Sequence, residues 1–193
     1  MDIKPIETVY NGYRFRSRLE ARWAVFFDAA GIEYEYEPQG YVFDDGTKYL
    51  PDFFLPDFNI YCEIKACREL DDGKAEKFAF TPESAGVLVC YGQPCDHDLR
   101  FMTFYECNDG GAGCYDTDWG PYGSVMITEY LDGSGPCIYV DDGRSERVFY
   151  QASRVGCAYE MAGSVADWNV FRDAEIAARQ ARFEHGETPK VRG

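Results

Sequence analysis

Along residues 17–30, apolar side chains recur at Leu19, Trp23, Phe26, Phe27 and Ala30, spaced i, i+4, i+7, i+8 and i+11. That spacing lays one apolar stripe along a helix. Ser17 stands at its start, where a side-chain oxygen takes an otherwise unpaired amide, and Gly31 stands just past its end. The period then shortens. Residues 33–37 alternate Glu-Tyr-Glu-Tyr-Glu, a strand with two unlike faces. Asp44-Asp45-Gly46 is a turn between Tyr41-Val42-Phe43 and Lys48-Tyr49-Leu50, which predicts a hairpin. Residues 59–65 read as a further strand, 71–80 as a short helix and 86–91, Gly-Val-Leu-Val-Cys-Tyr, as a buried strand.

The order helix, strand, hairpin, strand, helix, strand predicts an α/β fold with a mixed sheet flanked by helices. Residues 92–160 differ: they are rich in Gly, Asp, Tyr and Cys, with strand-like pieces at 101–107, 123–131, 136–140 and 146–151. The pattern returns to a helical period over 164–183. Three regions follow: a core over 1–91, a β-rich acidic insertion or subdomain over 92–160, and a C-terminal helix and tail over 161–193. Asp116-x-Asp118 begins like a calcium loop, but Gly120 stands where a third oxygen ligand belongs, so a solvated loop is expected there.

Composition narrows the chemistry. With 193 residues, 46% hydrophobic and 17% aromatic, the chain has the apolar mass for a packed core. The net charge of −15 argues against a general nucleic-acid coat, which needs a broad basic surface. It leaves room for a nuclease, because local charge governs docking and metal ions neutralise carboxylates. Residues 71–150 are the most acidic, with 5 Lys and Arg against 15 Asp and Glu. Two histidines, His97 and His185, are too few for a multi-histidine zinc site. The sequence has neither a G-x-S-x-G elbow nor a Walker-type phosphate loop. No apolar run approaches the roughly 18 residues that span a bilayer. The first ten residues lack a leader pattern, so a cytoplasmic protein with its 8 cysteines reduced is expected.

The candidate chemistry lies in Tyr49-Leu50-Pro51-Asp52-Phe53 and Cys62-Glu63-Ile64-Lys65. In a strand, Tyr61, Glu63 and Lys65 share one face, while Ile60, Cys62 and Ile64 take the other. A neighbouring strand that brings Asp52 beside Glu63 makes a pair of hard oxygen donors, suited to Mg²⁺ or Mn²⁺. A lysine beside them positions water or stabilises charge on a phosphate.

These residues resemble the motif of the PD-(D/E)xK nuclease superfamily: Pro51-Asp52, a gap of ten residues, then Glu63-Ile64-Lys65. Glu20, in Ser17-Arg18-Leu19-Glu20, stands where that family commonly adds a glutamate on its first helix. The strings Phe15 to Trp23, Tyr34-Glu35-Tyr36-Glu37-Pro38 and Tyr49 to Phe53 resemble compact phage- and transposon-type members. The resemblance covers about residues 10–91. It implies a restriction-endonuclease-like core and metal-dependent hydrolysis of DNA by in-line water attack. Asp52 and Glu63 would be metal ligands, Glu20 an outer or additional one, and Lys65 the residue that positions water or stabilises charge.

Each assignment has a plainer counterpart. Ser17-x-x-Glu20 is also a capping box. Asp52 after Pro51 also suits a turn, and Glu63 with Lys65 also suits a surface ion pair. Arg14, Arg16, Arg18 and Arg22 form the densest basic cluster, either holding DNA phosphates or facing solvent. Lys74 and Lys77 share that ambiguity. Double-strand cleavage from one site requires a homodimer or a protein partner. The rival function is a catalytically silent nuclease-like scaffold, an acidic module that binds a basic protein or mimics nucleic acid.

Overall fold

Asn11 and Gly12, with φ of 47° and 83°, turn the chain between β1 (Thr8–Tyr10) and β2 (Tyr13–Phe15). This hairpin opens a computed structural model that describes residues 5–81, 83–106, 112–118, 124–129, 135–141, 147–150 and 169–183. Helix α1 (Arg18–Ala30) follows with the caps that the sequence predicts. The Glu20 amide donates to Ser17 Oγ at 3.1 Å, and Gly31 closes the helix in the left-handed region at φ 70°. The burial is wider than the predicted stripe. Ala21, Ala24 and Val25 are buried together with Trp23, Phe26 and Phe27, because α1 is covered on more than one side.

β3 (Glu35–Tyr36) is shorter than its alternating pattern. β4 (Tyr41–Val42) and β5 (Lys48–Tyr49) form the predicted hairpin around Asp44-Asp45-Gly46. β6 (Phe53–Leu55) and β7 (Ile60–Lys65) pair antiparallel, with Phe53 opposite Cys62. The chain then crosses through α2 (Lys74–Ala79) to β8 (Val87–Tyr91), which lies parallel to β7. A parallel neighbour needs such a crossover, since a tight hairpin cannot reverse the chain twice.

The sheet does not stop at residue 91. β9 (Asp98–Glu106) pairs antiparallel with β8, and β10 (Ala112–Asp118) pairs with β9, so one mixed sheet runs β3-β6-β7-β8-β9-β10. The expected solvated loop at Asp116-x-Asp118 is therefore a correction: this backbone is strand, with Asp116 opposite Met102 and Asp118 opposite Arg100. Its polar residues carry little strand propensity; the ladder of β9 supplies the pairing. β11 (Ser124–Glu129), β12 (Pro136–Asp141) and β13 (Arg147–Tyr150) form a separate antiparallel sheet, as the strand-like pieces predict. The last helix, α3 (Arg172–Gln180), is shorter than the helical pattern expected over 164–183: residues 169–171 are turn, 181–183 are irregular, and 164–168 lie outside the described residues. It packs on α1 through Ala174, Ala178 and an edge contact of Phe171 with Phe26, centroids 6.0 Å apart.

The sheet has two apolar faces. Ile60, Cys62, Ile64, Leu88, Cys90 and Phe101 face the larger cluster with α1. Val87, Val89, Tyr91 and Met102 pack with Tyr49, Phe78 and Ala79 beside α2. Phe53 is fully buried among Phe15, Phe27, Tyr34 and Tyr36, with ring centroids 5.5 to 6.0 Å away. Truncating such a phenylalanine costs about 3–5 kcal/mol. This packing anchors the strand on which the neighbouring Asp52 depends. Cys62 and Cys90 are buried free thiols, Sγ to Sγ 3.6 Å, and Cys137 is likewise buried and free. Cys67 is free but exposed. Among the described residues, no helix is long and apolar enough to cross a membrane.

Candidate active site

The β6–β7 register places Asp52 across from Glu63, since it continues the ladder one step beyond Phe53 and Cys62. Both carboxylates are buried, at 3% and 6% exposure. Asp52 Oδ2 accepts the Ile64 amide at 2.7 Å, so the side chain ties the two strands where the backbone ladder ends. Asp52 Oδ1 lies 2.6 Å from Arg16 Nη2. Glu63 Oε1 lies 2.8 Å from Lys65 Nζ, and Glu63 Oε2 accepts the Tyr49 hydroxyl at 3.0 Å. Lys65 Nζ also lies 3.9 Å from Asp72. The face assignment read from the strand period holds: Glu63 and Lys65 lie with Val89 and Tyr91 of β8, opposite the Cys62–Ile64 face.

Glu20 is buried in α1 and satisfied locally. Its Oε1 accepts the Ser17 hydroxyl at 2.7 Å, and its Oε2 accepts the Arg16 amide at 3.0 Å and the Tyr36 hydroxyl at 2.7 Å. Both readings of Glu20 find a footing here. It closes a capping arrangement, and its charge still acts on Asp52. Glu37 joins from the end of β3, with Oε1 2.6 Å from Arg16 Nε and its amide on the Asp52 carbonyl at 2.9 Å. Its φ of 46° lets the backbone and the side chain serve the same corner. Glu35, on the same strand, is exposed.

The electrostatics follow from burial. Desolvation raises the Asp52 carboxyl well above the ordinary carboxylate range, and the charges of Glu63 and Glu20 push the same way against the Ile64 amide and Arg16. Burial also raises Glu63, against the pull of Lys65 and Tyr49. Burial works to lower Lys65, but the Glu63 charge prevails and its ammonium is held above the ordinary lysine value. Around this corner, Asp52, Glu63, Glu20 and Glu37 face two cations, Arg16 and Lys65. Four acidic side chains thus share two cations at this corner, and burial is the main cause of the upward shifts of Asp52 and Glu63.

The four arginines expected at DNA are dispersed. Only Arg16 reaches this site among the described contacts. Arg14 is exposed and 3.3 Å from Glu7. Arg18 and Arg22 are partly buried on α1, and Arg22 Nε is enclosed. Tyr49, Tyr36 and Glu37 are the site residues that the motif does not single out. Tyr49 lies three residues before Asp52 and Glu37 one residue after Tyr36, so both fall within the strings that carry the resemblance. Their roles depend on tertiary pairing that no local period reports.

A cleft of about 600 Å³ opens over Glu63 and Lys65, and Arg16, Lys48, Asp72 and Lys74 also line it. Among the described residues, no group of three His, Cys, Asp or Glu side chains converges on one point. The register sets the Asp52 and Glu63 carboxylates side by side across β6 and β7, and each of their oxygens retains acceptor capacity beyond its one protein partner. His97 pairs with Glu175 of α3 at 3.3 Å and does not line this cleft. Compared with known proteins, the chain matches no family model, no curated protein and no solved structure.

Proposed function

We propose that this chain is a metal-dependent DNA endonuclease of the PD-(D/E)xK type, with a restriction-endonuclease-like core. One observation carries the reading: the β6–β7 ladder sets Asp52 opposite Glu63, Lys65 Nζ lies 2.8 Å from Glu63, and Glu63 and Lys65 line a cleft. Buried like charges are costly unless something neutralises them. The raised carboxyls and the surplus of acid over base fit a hard divalent cation, Mg²⁺ or Mn²⁺. Asp52 and Glu63 would hold it, with Glu20 behind them as an outer residue. When bound, such an ion lowers the pKa of its water and polarises a phosphodiester oxygen.

The protein's own groups divide the remaining work. Lys65 keeps its proton, so it acts as a hydrogen-bond donor and positive charge toward a phosphate or its attacking water, not as a general base. Tyr49 donates to Glu63 and fixes its carboxylate plane. The Ile64 amide does the same for Asp52. Arg16 holds Asp52 from the solvent side and lines the cleft, where it can turn to a phosphate.

A second reading rests on the fact that each oxygen of Asp52 and Glu63 already has a protein partner. On that reading the corner is a closed ion-pair network on a silent, acidic scaffold. One experiment separates the two. Purified protein is incubated with supercoiled plasmid, linear duplex and single-stranded DNA in Mg²⁺, Mn²⁺ or EDTA, beside Asp52→Ala and Lys65→Ala. Metal-dependent cutting abolished by both substitutions supports the nuclease. Absence of cutting, with no thermal stabilisation by millimolar Mn²⁺, supports the scaffold.

A further inference from the structure

The cleft beside Glu63 is basic in an acidic protein. Lys and Arg make up 19 of 193 residues, about one in ten, yet they are four of the eleven residues that line it. These are Arg16, Lys48, Lys65 and Lys74, against two lining carboxylates, Glu63 and Asp72. A chain of −15 therefore sets four cations around the cleft that Glu63 and Lys65 line. Low-dielectric walls focus such a field on an incoming anion.

Two of the four cations are not accounted for by the corner itself. Lys48 stands on β5, exposed, and makes no ion pair among the described residues. Lys74 opens α2 and holds Asp72 at 2.8 Å, while Asp72 reaches on to Lys65. The β4–β5 hairpin that carries Lys48 is fixed to α2. Lys77 Nζ bonds Asp45 at 2.5 Å and lies 4.5 Å from the centre of the Phe43 ring. Tyr41 and Tyr49 pack on Phe78 at 4.3 and 5.3 Å. Lys48 is thus carried on a braced wall. Beside it, Val42 and Leu50 expose apolar surface at 68% and 36%.

We infer that this cleft binds the nucleic-acid strand being cut, with Lys48 and Lys74 contacting phosphates that flank the scissile one. The inference rests on the nuclease reading and relocates its binding surface from Arg14, Arg18 and Arg22 to the hairpin–α2 cleft, which Arg16 also lines. A volume of about 600 Å³ falls in the range that encloses a small ligand. It suits a short stretch of backbone, with Val42 and Leu50 against sugars or base edges. Neither Arg14, Arg18 nor Arg22 lines it.

The test uses the full chain carrying Asp52→Asn and fluorescein-labelled oligonucleotides, single-stranded and duplex. Binding is read by fluorescence anisotropy at several salt concentrations, and cutting by the unsubstituted protein is scored in parallel. Lys48→Glu and Lys74→Glu should each weaken binding about tenfold. Each should also reduce the slope of log affinity against log salt by about one. Arg14→Glu and Arg18→Glu should leave binding within about twofold. Lys48→Ala and Lys74→Ala, milder changes at surface positions, guard against folding artefacts and should shift binding in the same direction. Binding unchanged in the lysine variants but weakened by Arg14→Glu or Arg18→Glu overturns the inference, as does no binding of either oligonucleotide. Binding that depends on Lys48 and Lys74, without cutting in any metal, upholds the cleft and removes the nuclease reading. Cutting that persists unchanged in both lysine variants removes the cleft and keeps the nuclease.

Discussion

Arg16 and Asp52 form an ion pair of unequal exposure: Nη2 and Oδ1 are 2.6 Å apart, with the arginine side chain 54% exposed and the aspartate 4%. The aspartate cannot move to solvent, but the arginine can. On the proposed function, a metal ion at Asp52 competes with this guanidinium for the same charge. Arg16→Met should therefore tighten Mn²⁺ binding at pH 8, by about threefold to tenfold in calorimetric titration. The metal-free protein should lose only about 1 kcal/mol, because the exposed half of the pair is screened by water. Weaker Mn²⁺ binding in this variant would show that Arg16 supports the ion and does not compete with it.

The raised carboxyls give a pH dependence of definite sign. A carboxyl whose folded pKa lies above its unfolded value holds its proton more tightly when folded. Asp52 and Glu63 both move that way, chiefly through burial. Their contribution to stability is present at low pH and is lost as pH rises from the ordinary carboxylate range through the raised values. Each tenfold tightening of the proton on folding corresponds to about 1.4 kcal/mol. Thermal melts without metal should fall over that window, and Asp52→Asn with Glu63→Gln should flatten the fall. Millimolar Mn²⁺ should restore stability at the alkaline end and release protons on binding, read by calorimetry in buffers of different ionisation enthalpy. Melts that rise with pH over this window, equally in both proteins, would contradict the assignment.

The parts of this site that were legible in the sequence are those set by local rules. Ser17 and Gly31 bounded α1 because caps are chosen by the backbone groups left unpaired at helix ends. Glu63 and Lys65 shared a face because strand period is two. Asp52 met Glu63 because β6 and β7 are joined by the short link 56–59, which leaves one antiparallel register that buries Phe53 and Cys62. What escaped was tertiary or weakly signalled. Asn11-Gly12 is a strong hairpin dipeptide, but the strands it joins are three residues each and carry little period. β10 shows no apolar alternation, and its pairing comes from β9. The partners Tyr36 for Glu20 and Tyr49 for Glu63 come from other elements, and no spacing within one element could name them. The dispersal of the arginines has the same cause: Arg14 leaves on a hairpin strand while Arg18 and Arg22 turn with α1.

Lys65 carries two roles that one variant separates. Its ammonium is Glu63's cation, and it is mostly buried, at 17% exposure of the side chain. Lys65→Met keeps the stem and removes the charge, leaving Glu63 with Tyr49 alone. The metal-free protein should lose about 2 kcal/mol at pH 8, by urea titration, and less at acid pH once Glu63 is protonated. Mn²⁺ should still bind and should recover part of that loss. DNA cutting should fall by at least about a hundredfold, the order seen when one preorganised donor to a developing charge is removed. Cutting at the parent rate with this loss of stability would make Lys65 a structural ion-pair partner only.

Glu20 tests whether the first helix contributes a cap or a ligand. Three donors converge on its carboxylate: the Ser17 hydroxyl, the Arg16 amide and the Tyr36 hydroxyl. A carboxylate so occupied is oriented by the helix terminus, and its effect on Asp52 is electrostatic. Glu20→Ala removes the cap partner and strands the Tyr36 hydroxyl, so stability should fall by about 1–2 kcal/mol. Ser17→Ala should cost about 1 kcal/mol through the same cap. The Mn²⁺ affinity of Glu20→Ala should change by less than about threefold, since one distant charge is lost but no ligand is. Tyr36→Phe provides the control: it loses a donor to Glu20 while leaving the carboxylate in place, and should reproduce part of the stability loss without moving the metal affinity. A drop of about a hundredfold or more in Mn²⁺ affinity in Glu20→Ala, with Ser17→Ala unaffected, would instead make Glu20 a direct ligand that swings off its cap when the ion arrives.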